Sequence, residues 1–314
     1  MRTPDRDART VGSVAAVPRA VEVRDLHKSY GDVDAVRGVS FTVDTGEIVA
    51  VLGPNGAGKT TTIEMLEGFR APTSGDVRVL GTDPATGGSE FRARIGIVLQ
   101  ETGIDPYLSV EEVLRMHASY YPAPRAVDET IDLVGLTEKR DARVKTLSGG
   151  QQRRLDVGLG IIGDPELLFL DEPTTGFDPS ARRQAWDVVH RLRDLGKTVL
   201  LTTHYMEEAQ ALADRLVVIA AGRIIAEGTP DDIGGRASAR SVIRFPWPAD
   251  RPLEDLPIDA TRDGAAAIVE TAAVTTTLRS LTEWAVARDV DLDALTVTRP
   301  SLEDVYLELV GGEA

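Results

Sequence analysis

Cysteine is absent from the 314-residue chain. Disulfides, thiolate metal sites and thiol nucleophiles are excluded with it, and nothing points to an oxidising compartment. Positive charge is scarce: 35 Lys and Arg stand against 50 Asp and Glu, a formal net charge of −15, and only five of the basic residues are lysines. A nucleic-acid binder needs a basic face to meet phosphates, and anionic lipid repels an acidic surface, so both are disfavoured as partners. Long apolar runs are missing too. The longest, such as residues 216–221, are strand-sized, whereas a membrane-spanning helix needs about 20 residues. The first 19 residues carry several arginines but lack the apolar centre of a secretory signal. They are predicted to be a flexible tail, and the chain is expected to be soluble and cytoplasmic. With 42% hydrophobic residues, a chain of this length supports one large domain, or one large and one small.

From residue 21 to about 228, short β-branched runs alternate with helical stretches, the rhythm of an α/β domain. Strands are expected at 21–23, 41–43, 48–52, 95–99, 167–170, 198–202 and 216–219. The runs 48–52, 167–170 and 199–201 are continuously apolar, as in strands covered on both faces. Residues 101–146 read as helices, with Ser109 and Glu112 at capping-box spacing before a helix over 110–121. Beyond about 229 the texture changes. Strands are expected at 240–245, 266–269 and 295–298, an amphipathic helix at 277–288, and a last helix capped by Ser301 with Leu302, Val305, Tyr306 and Leu309 on one face. A small α+β domain follows from this, of a size that folds alone or leans on the main body.

One loop carries chemistry in its spacing. Gly53, Pro54, Asn55, Gly56, Ala57, Gly58, Lys59, Thr60 and Thr61 follow a buried strand and open a helix, the context that G-x-x-x-x-G-K-[ST] requires. Glycines let the backbone turn its N–H groups onto phosphate oxygens, and the helix N-terminus adds partial positive charge. Lys59 supplies a point charge for the β- and γ-phosphates, and Thr60 a hard oxygen for Mg²⁺. By itself the loop says P-loop nucleotide hydrolase or kinase.

A second strand, 167–171, ends in Asp171 and Glu172. Ligands bind at such strand ends in parallel sheets. Phosphoryl transfer is mostly positioning and charge neutralisation. Asp171 therefore suits the Mg²⁺ shell, and Glu172 suits orienting the attacking water.

Between these two lies Leu147-Ser148-Gly149-Gly150-Gln151. Ser148 and Gln151 sit at capping-box spacing, and paired glycines at a helix start expose free N–H groups. Loop, LSGGQ and LLFLDEP, in that order over about residues 21–228, resemble the ATPase subunit of ATP-binding-cassette (ABC) transporters. The resemblance implies an α/β P-loop NTPase core with an antiparallel β subdomain and a helical insertion, followed here by the small C-terminal α+β domain. It divides the chain into a tail over 1–19, an ATPase domain over 20–232 with its helical subdomain at about 101–165, and an accessory domain over 233–314. In that family Ser148, Gly149, Gly150 and Gln151 of one subunit cap the nucleotide held by another, so a second copy is implied, most simply a homodimer. Tyr30 resembles the aromatic that stacks on adenine, and Gln100 the glutamine that reaches Mg²⁺ and the lytic water. His204 resembles the switch histidine at the γ-phosphate, and Asp178 the aspartate of the loop that touches the partner. Phe177 stands where the family usually has Leu, which implies altered packing.

The resemblance also implies ATP and Mg²⁺ as cofactors and a separate transmembrane permease that holds the subunit at the cytoplasmic face of the membrane. The ending from Ser301 to Gly311 resembles the daunorubicin/multidrug-resistance-like exporter branch, which implies outward transport of a small hydrophobic compound. The competing readings are a soluble non-transport ABC ATPase, which generally carries two cassettes or a long coiled coil, and another P-loop enzyme, in which the LSGGQ segment and His204 have no task.

Overall fold

The structure, a computed structural model, describes residues 18–99 and 103–311. The expected tail lies outside the described residues up to position 17, and Arg19 already belongs to the first strand. Strands β1 (Arg19–Tyr30) and β2 (Val33–Asp44) pair antiparallel, and β4 (Ser74–Val79) adds to the other edge of β1. Both long strands greatly exceed the short runs expected at 21–23 and 41–43. Register shifts between Val23 and Leu26 and again near Lys28 interrupt the pairing, and Asp25 has φ 47°. Such bulges break the period-2 alternation by which a strand is read.

The central sheet has six strands in the order β5-β6-β7-β3-β8-β9. Five run parallel: β3 (Ile48–Leu52), β5 (Ile95–Val98), β6 (Leu167–Asp171), β7 (Thr198–Thr203) and β8 (Arg215–Ala220). The edge strand β9 (Arg223–Gly228) is antiparallel. Successive residues of β3 serve opposite cores. Ile48, Ala50 and Leu52 pack with the helices, whereas Val49 and Val51 pack with Val21, Phe41 and Val43 of the antiparallel sheet. Burial on both faces explains the unbroken apolar runs.

Two short helices, α1 (Lys59–Leu66) and α2 (Gly88–Arg94), precede β5. Between β5 and β6 lie α3 (Val110–Ala118), α4 (Val127–Leu133) and α5 (Gly149–Ile161). Ser109 and Glu112 close a capping box at the start of α3. Val113, Leu114, Ile131, Val134 and Leu155 are buried together. Helix α3 stops three residues short of the expected 121, with Ser119 as its C-cap. Helices α6 (Pro179–Asp194) and α7 (Met206–Leu212) flank β7. Among the described residues no helix is long and apolar enough to cross a membrane.

The C-terminal part builds a four-stranded antiparallel sheet in the order β11-β12-β10-β13, from β10 (Ser241–Pro246), β11 (Thr261–Asp263), β12 (Ala266–Thr271) and β13 (Thr296–Thr298). Helix α8 (Val274–Ala287) covers it. Ile243, Phe245, Trp247, Val269, Leu281 and Trp284 form a core separate from the other two. The last helix, α9 (Leu302–Gly311), starts at a box in which Ser301 and Asp304 bond each other. It does not complete that core. Leu302 and Tyr306 pack into the core under the central sheet, and α9 touches α7 and β9.

Candidate nucleotide site

The central sheet places three chain segments side by side. In the order β6-β7-β3, neighbouring strands deliver Asp171 with Glu172, then His204, then the glycine loop, all at their carboxyl ends. The loop is confined by its neighbours. A Cβ on Gly53 would lie 2.1 Å from the carbonyl oxygen of Ile219, and one on Gly58, which has φ 99°, 2.4 Å from that of Ala35. Only glycine fits these two positions. Lys59 opens α1 and is buried. Its Nζ donates to the carbonyls of Gly53 at 2.6 Å and Pro54 at 3.0 Å. Burial pushes its pKa down, and the carboxylates of Glu172 and Asp171 oppose that shift. The first turn of α1 carries no acidic side chain, so nothing there offsets the positive helix end. Thr60 is exposed and Thr61 half-buried beside Lys59.

Asp171 ends β6, and its Oδ1 accepts a 2.5 Å bond from Thr202 Oγ1. Glu172 follows with φ 44°, a conformation non-glycine residues adopt only when their surroundings force it. Its N–H donates to Thr202 O and Thr202 Oγ1, both at 3.1 Å. Its Oε2 accepts from Thr175 Oγ1 at 3.0 Å, and its Oε1 lies 3.2 Å from His204 Nδ1. The His204 ring packs on Tyr205 with centroids 4.1 Å apart. Tyr30 is 40% exposed at the end of β1, with Lys28 Nζ 5.3 Å and the Arg70 guanidinium 5.6 Å from its ring centre.

Ser148 caps α5 through the expected box. Its Oγ accepts from Gln151 N at 3.3 Å, and Gln151 Oε1 accepts from Ser148 N at 3.0 Å. The two glycines differ. A Cβ on Gly150 would meet Ala181 Cβ at 3.1 Å, while one on Gly149 would meet nothing within 4 Å among the described residues beyond its own helix turn. Asp178 caps α6, accepting from the amides of Ser180 at 2.8 Å and Ala181 at 2.9 Å. One cavity of about 570 Å³ is lined by Gly149, Arg153, Glu172, Thr175 and Phe177, among others. A second, of about 600 Å³, is lined by Ser148 to Gln151 and by Asp178. The glycine loop and Lys59 line neither. Gln100 lies outside the described residues.

Two buried side chains here are not signalled by any motif. Glu208 on α7 accepts from Thr174 Oγ1 at 2.7 Å and Trp186 Nε1 at 3.3 Å, and burial pushes its pKa up. Arg153, on the second turn of α5, donates to three carbonyls in two other segments, Leu99 in one and Asp171 and Pro173 in the other. In sequence, Glu208 passes for an ordinary acid of a helix first turn and Arg153 for a surface arginine.

Chemically, the arrangement offers a phosphate cradle and a lysine beside two carboxylates. Among the described residues no three His, Cys, Asp or Glu gather as a metal cage. The residues nevertheless fit Mg²⁺, which takes one or two carboxylates together with substrate phosphates. Asp171 is a carboxylate of that kind, and the Thr60 hydroxyl would add a further oxygen.

The glycine loop, the LSGGQ segment and Glu172 all fall within residues 36–175, which match the model of the family described as ABC transporter. Residues 241–301 match the model of a C-terminal domain of ABC transporter domain-containing proteins. The chain is 40% identical over 309 residues to Nod factor export ATP-binding protein I of Paraburkholderia xenovorans (strain LB400), covering 94% of this chain and 98% of that one. It is 46% identical over 220 residues to the daunorubicin/doxorubicin resistance ATP-binding protein DrrA of Streptomyces peucetius, covering 68% and 67%. Among solved structures, the ATP-binding subunit of an ABC transporter superposes with a TM-score of 0.61 at 30% identity, over 68% of this chain and 91% of that chain. An ATP-binding cassette in its ADP conformation superposes at 0.62 with 24% identity, over 69% and 93%, a likeness of fold. An α/β P-loop NTPase fold, this run of motifs and likeness along nearly the whole of a curated relative lead to one assignment: the chain belongs to the ABC transporter family, as a nucleotide-binding subunit that hydrolyses ATP.

Proposed function

We propose that two copies of this chain bind and hydrolyse MgATP between them and so drive export of a small hydrophobic compound through a separate permease. The observation that carries this is the meeting of Lys59, Asp171, Glu172 and His204 at the ends of adjacent strands β3, β6 and β7. Gly53 to Thr61 cradle the phosphates, Lys59 neutralises their charge, and Tyr30 takes the adenine. Thr60, Asp171 and Gln100 hold Mg²⁺, which when bound neutralises charge across the phosphates. Glu172 orients and polarises the attacking water, and His204 faces the terminal phosphate.

Ser148 to Gln151 and Asp178 act on the nucleotide of the other copy. Gly149 supports this role: among the described residues no group beyond its own helix turn comes near enough to require glycine, so the open space suits approach from a second molecule. The curated relatives are named for Nod factor export and for daunorubicin/doxorubicin resistance, and both names fit outward transport. With no membrane-spanning helix among the described residues, the subunit would sit at the cytoplasmic face of the membrane, held there by its permease. We divide it into the ATPase domain over 20–232 and an accessory domain over 233–314, with α9 reaching back from the second onto the first.

The test is Glu172→Gln. ATP binding and ATP-dependent pairing are expected to persist, while turnover falls roughly a hundredfold or more. Near-normal phosphate release by that variant contradicts the role given to Glu172. Co-purification with a membrane protein, with ATPase stimulation by candidate compounds, tests the export assignment. Association with ribosomes or DNA instead contradicts it.

A further inference from the structure

Arg153 is 7% exposed, although it carries a charge that would rather be hydrated. Its guanidinium reaches three backbone carbonyls. Nη2 donates to the carbonyl of Asp171 at 2.7 Å, Nε to that of Pro173 at 3.1 Å, and Nη1 to that of Leu99 at the end of β5. Asp156, one turn further along α5, lies 3.9 Å from Nη1. Asp171 and Pro173 are the residues immediately before and after Glu172, whose φ of 44° is the strained point of the segment. A residue stays in that region only where its surroundings over-determine it. Here Thr202 holds the Glu172 N–H from one side, and Arg153 holds the carbonyls that bracket it from the other. The planar fork of a guanidinium matches several oxygens at once, which an ammonium cannot do.

We propose that Arg153 is a positioning residue for hydrolysis: by gripping the carbonyls on either side of Glu172 it fixes the backbone that aims the Glu172 carboxylate. The inference rests on the reading of Glu172 as the residue that orients the attacking water. It also adds a link. Arg153 stands on the helix whose first turn is Gly149 and Gly150, so the position of that helix bears directly on the aim of Glu172 in the same chain.

The experiment compares Arg153→Lys, Arg153→Gln and Glu172→Gln, singly and combined, in the full-length chain. Readouts are kcat and KM for ATP, binding of a fluorescent ATP analogue, and melting temperature. Arg153→Lys is expected to lower kcat about ten- to a hundredfold, the scale of a misplaced catalytic group. KM and analogue affinity should stay within about twofold, since the glycine loop is untouched. Combined with Glu172→Gln it should add nothing, because the group it aims is gone. Normal kcat in Arg153→Lys, or losses that multiply in the double variant, overturns the inference alone. Full turnover in Glu172→Gln overturns it together with the reading it rests on. If Arg153→Lys melts far below the parent, Arg153→Gln, which keeps a two-proton donor, decides between these outcomes by the same readouts.

Discussion

His204 Nδ1 lies 3.2 Å from Glu172 Oε1, while the second oxygen of the same carboxylate accepts a 3.0 Å bond from Thr175 Oγ1. The carboxylate is thus held at two points, one from the end of β7 and one from its own loop. Removing one anchor should loosen the group without releasing it. His204→Ala is therefore expected to lower kcat by about ten- to a hundredfold, with KM for ATP little changed and a smaller loss than in Glu172→Gln. Steady-state phosphate release on the two variants side by side checks this. A loss in His204→Ala equal to that in Glu172→Gln would mean that the histidine does more than anchor.

Gly149 separates folding from function. Among the described residues, nothing beyond its own helix turn approaches within 4 Å of the Cβ it lacks. Alanine is preferred to glycine in a helix by about 0.5–1 kcal/mol. Gly149→Ala should accordingly melt no lower than the parent, while ATP-dependent pairing and turnover fall. Gly150→Ala should also cost stability, because its methyl meets Ala181 at 3.1 Å. Calorimetry with size-exclusion chromatography in ATP distinguishes the two. A Gly149→Ala variant with full turnover would remove the argument that a second molecule comes close there.

Glu67 sets a pH dependence of stability. It caps the C-terminus of α1, is buried, and its pKa is raised from 4.5 to about 8, first by burial and then by the charges of Asp171 and Glu64. A carboxyl with a raised folded pKa is protonated in the native state where the unfolded chain is already ionised. Its stabilising contribution is complete below about pH 4.5 and is lost as pH rises to about 8. A shift of this size corresponds to a few kcal/mol, roughly. Glu67→Gln should therefore flatten the fall in melting temperature between pH 5 and pH 8, with the largest gain over the parent at the upper end. Equal gains at both ends would mean that Glu67 does not titrate in this window.

Much of the site was legible because its chemistry is local in sequence. Glycine spacing, a lysine and a helix start lie within nine residues, and Asp171 and Glu172 end a single apolar strand. Capping boxes at Ser109 and Ser148 each span four residues, and both form, while the cap expected at Ser301 forms as a box with Asp304. The features that sequence does not show depend on distant partners. Glu208 meets Thr174 and Trp186 across 34 and 22 residues, and Arg153 meets Leu99 across 54. No window of the chain shows such pairs. The length of β1 was hidden by its bulges, and the return of α9 to the first core depends on which surface its apolar stripe meets.

Ala181 has a consequence for what can settle between two helix starts. Its methyl would crowd any side chain on Gly150, at 3.1 Å from the added Cβ, and its amide is one of the two that Asp178 caps. The start of α5 and the start of α6 are thereby neighbours, and both line one cavity. Whatever settles in that cavity meets both helix starts at once.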